Sequence, residues 1–540
     1  MTNVQPDKPE AASALAPFHH AAFAVLWTAT VIGNTGTYMR DVASAWLVAD
    51  LSASPGAVAL IQAAGTLPIF LLALPAGVLA DILDRRKLLI AMQAVLLAVS
   101  FVLTLFAWRG LLTVEILLGL TLVGGTAAAI AGPAWQSMVP DLVPRAQLRN
   151  AIALNSVGIN VSRSIGPAIG GLLLGTLGAA FAYAADLATY LFVIGALLWW
   201  KRPPSENHQL PEHFLGAFRA GLRYTRSSRE LHIVLLRAGI YFVFASATWA
   251  LLPLVARDLL EGGASFYGLL LGSVGAGAIG GASVLPRLRS RFSSDAILLS
   301  SAVLTAGAMA LLSASPPQWV AIAGLFLLGS AWIAALTVLN GVAQAVLPNW
   351  VRGRALAVYL TVFNGAMTFG SILWGITAEA AGLTQTLLIA AAGLLISAAF
   401  MHRLKLPLGE DDLTASHHWP EPIVAETVDH QQGPVLVLIE YTVAHEDRIE
   451  FLRLLRLHSE ARRRDGARLW GVTEDAAEPD QIVEWFFVES WAEHLRQHER
   501  ASHADAEIQG KLLSHHRGPG RPVVRHLMTI PAKFSGGIHG

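Results

Sequence analysis

The chain has 540 residues, of which 54% are hydrophobic and only 14% charged, and its mean hydropathy is +0.52. A soluble globular protein carries about 25% charged residues, so this composition excludes a single soluble domain. Basic and acidic residues balance at 38 each and cysteine is absent, which gives no overall signature for nucleic-acid binding and excludes disulfides and thiol chemistry.

The N-terminal part of the chain predicts a membrane protein without a cleaved signal. Residues 1–17 are polar and lack a basic stretch followed by a short apolar core, so we expect an N-terminal tail and no removed leader. Apolar segments then follow up to residue 406. Twelve helices of about 20 residues fill this length, and we place their centres near Thr30, Leu67, Val95, Leu122, Ile165, Leu191, Phe242, Val274, Leu304, Phe326, Phe369 and Leu395.

The loops between these segments predict the orientation. Residues 75–87 form a short charged turn between the second and third segments. When the loops are numbered from the N-terminus, sixteen Lys and Arg residues fall in even-numbered loops and two in odd-numbered loops. Because cationic loops stay in the cytoplasm, we expect a multi-pass protein of the inner (plasma) membrane, with both termini cytoplasmic.

The membrane part divides into two similar halves. The longest internal loop, residues 201–230, separates residues 18–200 from 231–406 and is expected to be cytoplasmic. Three residues of the fifth segment recur in the eleventh at one offset of 204: Asn160, Gly166 and Gly171 match Asn364, Gly370 and Gly375. The pattern predicts an all-α membrane fold of twelve transmembrane helices in two six-helix pseudo-repeats. Chance similarity between glycine-rich helices is the alternative.

A soluble module follows the last segment. Residues 407–434 are acidic and rich in histidine and proline, as in a linker, and residues 532–540 predict a flexible tail. Between them, residues 435–531 alternate strand-like and helical patterns in the order β-α-β-β-α-β. This order predicts a small ferredoxin-like α+β cytoplasmic domain.

The charged turn carries a family resemblance. Residues 77–86 resemble the signature loop of the major facilitator superfamily, whose elements fall on Gly77, Asp81, Arg85 and Arg86. The chain departs at Ile82, where that signature has a basic residue, and at Asp84, where it has glycine. This variant is similar to the transmembrane secretion effector branch, which includes enterobactin-exporter-like proteins. Four further segments also resemble this branch and occur in the same order along the chain: residues 36–47, 140–150, 163–171 and 351–356.

The resemblance, which covers residues 18–406, implies a secondary active transporter that works by alternating access. It implies that Gly77, Asp81, Asp84, Arg85 and Arg86 act as a cytoplasmic latch; a topology signal alone is the alternative. Arg352, Gly353 and Arg354 form a separate second-half loop that agrees with the family. The second-half counterpart of the latch is residues 286–291, which keep the cations but have no acid matching Asp81.

The fifth segment carries a Gly-Pro-x-x-Gly-Gly motif that resembles the antiporter motif of exporters in the superfamily. Its members are Gly166, Pro167, Gly170 and Gly171. The resemblance favours efflux, and close helix packing without directional meaning is the alternative.

Polar residues inside the spans are candidates for proton coupling or substrate binding, because charge in a bilayer is costly and usually faces a cavity or a partner. We expect Asp41 or Asp186 to carry a coupling proton and Arg163 to tune it or to bind an anionic substrate. The alternative is that Arg40 and Asp41 reach the outer interface and that Arg163 has a structural role. Six amides add polar points to the expected cavity: Asn34, Gln62, Gln136, Asn160, Asn340 and Asn364.

The soluble module has a resemblance of its own. Residues 489–498 look like part of the antibiotic-biosynthesis-monooxygenase (dimeric α/β-barrel) group, which implies a catalytic, regulatory or homodimerising domain. His494 and His498 are spaced to share a metal, but solvated surface histidines are the simpler interpretation, so we expect neither metal nor cofactor. For the whole chain we expect proton-coupled efflux of a small amphipathic molecule, a siderophore or drug. An uptake carrier, or a carrier fused to an enzyme, remains the alternative.

Overall fold

A computed structural model describes residues 15–201, 214–348, 350–409, 412–414, 416, 419 and 429–529. The predicted tail 532–540, most of the N-terminal tail and much of the linker 407–434 therefore lie outside the described residues. The chain forms two compact units. The first contains Met1–Gln209, Leu235–Gly341 and Ala357–Leu406, and the second contains Leu210–Val234, Val342–Leu356 and Pro407–Gly540.

Long helices make up the membrane part. The first half holds α1 (Ala21–Leu51), α2 (Pro55–Ile82), α3 (Arg85–Arg109), α4 (Val114–Met138), α5 (Leu148–Leu177) and α6 (Ala179–Trp199). A shorter helix follows, α7 (Phe214–Ser227). The second half holds α8 (Arg229–Leu254), α9 (Ala264–Arg289), α10 (Ser294–Ser313), α11 (Gln318–Ala345), α12 (Arg352–Ala381) and α13 (Leu383–Met401).

Eleven of these helices are long and apolar enough to cross a bilayer, judged within the described residues. Helix α1 falls short in hydropathy because it carries Asn34, Arg40 and Asp41 among several threonines. Its 31 residues still rise about 46 Å, more than the hydrocarbon thickness of about 30 Å. With α1 counted as a span, the predicted twelve-helix membrane fold is confirmed.

The two halves repeat the same close helix contact. A Cβ on Gly166 would lie 2.9 Å from the main-chain oxygen of Thr35 in α1, and a Cβ on Gly370 would lie 2.7 Å from that of Val243 in α8. Both glycines allow two backbones to touch, which larger residues would prevent. The offset of 204 residues therefore marks equivalent positions in two packed halves.

The halves meet at the ends of the helices that border the odd-numbered loops. Helix α5 touches α9 where a Cβ on Gly171 would lie 2.6 Å from the Cα of Gly268. Helix α2 touches α12, where the carboxylate of Glu379 accepts hydrogen bonds from the Gly56 amide at 3.3 Å and from the Ser54 hydroxyl. The membrane part is therefore closed on its odd-loop side.

The soluble domain contains four strands and three helices in the described residues. They are β1 (Val435–Thr442), α14 (Arg448–Asp465), β2 (Trp470–Glu474), β3 (Gln481–Val488), α15 (Trp491–Arg500), α16 (His503–Leu513) and β4 (Val523–Met528). The strands form one antiparallel sheet in the order β2-β3-β1-β4. Alternate residues of β1 and β3 point into a core shared with the helices. The predicted ferredoxin-like order is confirmed.

Candidate functional site

A buried charge cluster links three helices of the first half. Arg40 of α1 lies with its guanidinium 3.7 Å from a carboxylate oxygen of Asp186 in α6 and 3.0 Å from the hydroxyl of Tyr190. Ser100 of α3 donates a 2.6 Å hydrogen bond to the same carboxylate oxygen of Asp186. The other oxygen of Asp186 is buried and makes no hydrogen bond to any described residue. A buried carboxylate with one unsatisfied oxygen is costly, which makes it a candidate for proton binding.

Asp41, the neighbouring candidate, is placed differently. Its side chain is 52% exposed in the protein alone and contacts Arg40 at 3.3 Å. Arg40 itself is buried, so it does not extend to the outer interface. Arg163 does not reach this cluster: its Nε donates to the hydroxyl of Tyr38 at 3.3 Å. The cation beside Asp186 is thus Arg40, and sequence reasoning had considered Arg163 for that position.

A cavity of about 250 Å³ lies beside the charge cluster, in the half of the helices that borders the even-numbered loops. Its wall is drawn from α1, α3, α4, α5 and α6. The polar and aromatic lining residues are Thr30, Asn34, Thr37, Gln93, Trp135, Gln136, Asn155 and Tyr190. Tyr190 belongs to both features, because its hydroxyl lies 3.0 Å from that of Thr37 and 3.0 Å from the Arg40 guanidinium.

Among the predicted amides, Asn34 and Gln136 line this cavity, whereas Asn160 and Asn364 do not. The carboxamide of Asn160 donates to the Ser156 carbonyl at 2.8 Å, and that of Asn364 donates to the Leu360 carbonyl at 2.9 Å. Each therefore bonds within its own helix. Gln93 and Asn155 take part in the cavity although sequence reasoning passed over them. A sequence signal for such a cavity is a helical spacing of polar residues, like that of Thr30, Asn34 and Thr37 on one face of α1.

The predicted latch residues hold the first half together. Asp84 caps α3 by accepting a 2.9 Å hydrogen bond from the Lys87 amide, which explains an acid where the family signature has glycine. Arg85 donates to the Ser137 carbonyl at 3.0 Å, near the end of α4. Arg86 donates to the carbonyls of Leu197 and Leu198, both at 2.8 Å, near the end of α6. Guanidinium groups here satisfy carbonyls that helix ends leave unpaired.

The described hydrogen bonds of Arg85 go to main-chain carbonyls, those of Ala80 and Ser137. The side chain of Asp81 lies outside what the structure describes. In the second half, Arg289 stands 204 residues after Arg85 and donates to the Thr337 carbonyl of α11 at 2.8 Å. Arg289 thus also binds a main-chain carbonyl of a neighbouring helix, although Thr337 lies within α11 rather than at its end.

The loop before α12 contributes local contacts. Arg352 donates to the Leu347 carbonyl at 3.1 Å, and Arg354 packs against Gly221 of α7. A Cβ at Gly77 or Gly353 would meet no described atom within 4 Å, so close packing does not require either glycine in this conformation.

A second buried ion pair was not anticipated from the sequence. Arg237 of α8 pairs with Asp295 at the start of α10 and donates to the Leu404 carbonyl at 2.9 Å. Asp295 also accepts from the Leu406 amide at 3.2 Å. These bonds tie the end of α13 to α8 and α10. The pair follows from packing between distant segments and has no local sequence signal.

Within the second unit, the soluble domain is bound to α7 and to residues 342–356. Arg223 of α7 donates to Glu493 of α15 at 2.7 Å. Tyr224 of α7 donates to the Val346 carbonyl at 3.1 Å. The guanidinium of Arg500 lies 4.3 Å from the ring centre of Trp350. Although burial alone would raise the pKa of Glu493, its contacts with Arg500, Arg223 and Arg496 hold that pKa below the ordinary value.

The predicted surface histidines of the domain are in part buried. Burial, together with the nearby His498 and His526, lowers the pKa of His494 to about 3, so His494 stays neutral at physiological pH. Its ring centre lies 4.8 Å from that of His498 and 4.6 Å from that of His526. In the described part of the chain, no group of three or more acidic or histidine side chains is arranged to hold a metal ion.

Two six-helix halves that meet on one side, with a polar cavity toward the other, define a secondary transporter of the major facilitator fold. Solved structures share this fold. A bacterial homologue of the human lysosomal transporter Spinster, inward-facing and unoccupied, aligns over 72% of this chain and 97% of its own with a TM-score of 0.58 and 15% identity. A D-xylose–proton symporter aligns over 72% and 99% with a TM-score of 0.57 and 16% identity.

The chain belongs to the transmembrane secretion effector family, whose sequence profile matches residues 12–533. The match extends through the soluble domain and is wider than the resemblance over residues 18–406. The protein is thus a multi-pass membrane transporter, and the family is one of transporters rather than enzymes.

Curated relatives lie in the same group. The multidrug efflux pump Tap of Mycolicibacterium fortuitum is 29% identical over 395 residues, which are 70% of this chain and 95% of the relative. The staphyloferrin A transporter of Staphylococcus aureus is 24% identical over 365 residues, 65% of this chain and 88% of the relative. Nearly all of Tap is matched by part of this chain, so a region as large as the soluble domain has no counterpart there.

Proposed function

We propose that the protein exports small amphipathic molecules across the plasma membrane in exchange for protons. The even-numbered loops and both termini then face the cytoplasm, as their positive charge predicts. The described conformation is closed on the outer side and presents its cavity toward the cytoplasm. The names of the relatives, a multidrug efflux pump and a siderophore transporter, support a small-molecule substrate.

One observation carries the proton coupling: Asp186 is fully buried, has one unsatisfied oxygen and reaches the cavity through Arg40 and Tyr190. Protonation of Asp186 would neutralise its carboxylate and so break the ion pair with Arg40. The guanidinium would then be free to bind another partner. Protonation can shift the equilibrium between two conformations only if the proton affinity of Asp186 differs between them. We assign the proton to Asp186 rather than Asp41, because Asp41 is half exposed and Asp186 is enclosed by three helices.

Inside-out membrane vesicles test this function. We expect a pH gradient to drive uptake of an uncharged fluorescent amphipathic compound into them, and we expect Asp186→Asn to abolish the dependence on the gradient. Glu115→Gln is the matched control, because Glu115 lies at the start of α4 next to an odd-numbered loop. Gradient-driven transport that survives Asp186→Asn unchanged would remove Asp186 from the mechanism, and transport in the reverse direction would identify an uptake carrier.

We further propose that the soluble domain joins two copies of the chain. The sheet face turned away from α14–α16 carries half-exposed apolar side chains that are neighbours on adjacent strands. Leu436 is paired with both Phe487 and Leu527, and Leu438 is paired with Trp485. An apolar sheet face of this kind is typical of an interaction surface.

Deletion of residues 412–540 separates this role from transport. We expect the shortened chain to keep pH-driven export, because Tap aligns almost completely without such a region, and to lose dimers in light scattering of the detergent-solubilised protein. A Trp485→Glu variant of the full chain gives an independent test, since it places charge on the same face. A full-length protein that is monomeric at micromolar concentration would contradict the proposal.

A further inference from the structure

Four carboxamides converge on the cavity of the first half. Gln93 comes from α3, Gln136 from α4, Asn155 from α5 and Asn34 from α1. Each carboxamide offers two N–H donors and one carbonyl acceptor. The cavity therefore concentrates hydrogen-bonding groups of both kinds in a volume of about 250 Å³.

None of these four side chains makes a hydrogen bond to a described residue, and the oxygen of Gln93 is buried without a partner. The carboxamides of Asn160 and Asn364, by contrast, donate to carbonyls of their own helices. A buried amide without a partner costs about 1–3 kcal/mol. The Gln93 oxygen is one such buried group. Asn34, Gln136 and Asn155 are open to the cavity and present further donors and acceptors that a bound molecule can meet.

The cavity wall has no ionised side chain among its described lining residues. Arg40 stands behind Tyr190 and is already paired with Asp186. Arg163, one helical turn beyond the lining residue Ile159, donates to the hydroxyl of Tyr38. An anion in the cavity would find no cation to compensate the loss of its hydration, which is expensive for a carboxylate. The arrangement favours a neutral ligand and disfavours a carboxylate.

The remaining wall gives the size and shape of the ligand. Trp135 presents an indole ring beside small residues such as Ala131 and Gly132. Sites for whole drug-sized molecules measure about 300–1,000 Å³. The present cavity is slightly smaller, so it fits one ring with its substituents rather than an entire large molecule.

We propose that this cavity binds an uncharged ring rich in hydroxyl or carbonyl groups, such as a sugar, that forms part of the exported molecule. The inference rests on the proposed export function only in taking this cavity as the transport site. The inference separates the drug and siderophore classes of substrate. A neutral glycosylated or polyhydroxylated compound fits the site, whereas a polycarboxylate siderophore does not.

Two probes that share an apolar part make the test direct. Methylumbelliferyl glucoside and methylumbelliferyl glucuronide differ only in a hydroxymethyl group against a carboxylate. Binding is measured by calorimetry on the full-length protein in lipid nanodiscs at neutral pH. We expect the glucoside to bind at least about tenfold more tightly. Equal or tighter binding of the glucuronide, or no binding of either probe, would overturn the proposal.

Variants then assign the preference to the cavity. We expect Gln136→Ala and Asn155→Ala each to weaken glucoside binding about three- to tenfold, the loss of one or two neutral hydrogen bonds. Asn160→Ala is the control, since it removes the same group from the same helix outside the cavity. Gln136→Arg supplies a cation and should reverse the preference toward the glucuronide.

Thermal unfolding of each variant shows whether it is folded, and the ratio of the two affinities is unaffected by partial loss of protein. Unchanged affinities in both alanine variants would refute the site. Because binding needs no gradient, a clear preference without pH-driven transport would refute the proposed function and leave this inference standing.

Discussion

Tyr190 is the residue where the cavity meets the buried charge cluster. Its hydroxyl lies 3.0 Å both from Thr37, on the cavity wall, and from Arg40, which contacts Asp186. Sequence reasoning selected Asp186 because an acid within an apolar helix is costly. It did not select Tyr190, since a tyrosine in a span is ordinary. Nor did it select Arg40, which it placed, with Asp41, at the outer interface in the alternative to proton coupling. Side-chain partners about 150 residues apart follow only from the packing of α1 against α6.

Tyr190→Phe should therefore disturb coupling more than stability. We expect transport at neutral pH to fall about tenfold or more, because one hydrogen bond to a charged group is worth about 1.5–3 kcal/mol. Tyr183→Phe is a matched control: Tyr183 lies seven residues earlier in α6, is equally buried and bonds Ser44 of α1 at 3.1 Å. The measurement is pH-driven uptake by vesicles, normalised to folded protein. Equal losses in both variants would mean that Tyr190 serves packing alone.

At the scale of elements, hydropathy and turn charge predicted the helices well, and the β-α-β-β-α-β order of the domain followed from alternation and helical spacing. The latch was predicted in outline only. Arg85 and Arg86 bind carbonyls at helix ends, and such acceptors exist in every sequence, so no residue type marks them. Asn155 lines the cavity and Asn160 does not, because positions five residues apart point about 140° away from each other around the helix axis.

The glycine contact between α5 and α9 should control the conformation. In Gly171→Ala the new methyl would lie 2.6 Å from the Cα of Gly268, so the helices must separate on the odd-loop side. Overpacking of this kind costs about 1–3 kcal/mol, and we expect the population with an open even-loop side to fall at least about fivefold.

Cysteine labelling measures this shift, because the chain has no cysteine of its own. A thiol introduced as Ile159→Cys, on the cavity wall, should react more slowly with a maleimide supplied from the even-loop side in the Gly171→Ala background. Gly195→Ala is the control, since a Cβ there would meet no described atom within 4 Å. The same rate in both backgrounds would show that this contact does not set the equilibrium.

At the scale of the whole molecule, the second unit joins segments that are far apart in the chain. Helix α7, residues 342–356 and the soluble domain share the Arg223–Glu493 bond and the contact between Arg500 and Trp350. Sequence reasoning assigned three separate segments here. A docking surface of scattered charged and aromatic residues has no periodic pattern, so its assembly was beyond prediction from the chain alone.

Arg223→Glu should loosen this unit. The variant places a second acid beside Glu493 in a partly buried site, and we expect a cost of about 1–3 kcal/mol. Amide hydrogen exchange in residues 342–356 should then accelerate about tenfold. Arg226→Glu is the control on the same helix, since Arg226 is exposed. Equal exchange in both variants would show that the pair does not hold the unit together.

The pairing of Arg40 with Asp186 also constrains how the protein is made. Asp186 follows Arg40 by 146 residues, which a ribosome adds in about 7 to 30 s. During that interval α1, the least apolar span, carries an arginine that costs about 3 kcal/mol at the middle of a bilayer. We expect α1 to remain at the translocon or the lipid interface until α6 arrives. The acid that we propose to carry the coupling proton then also controls the assembly of the first half, and its loss should expose the first span to quality-control proteases.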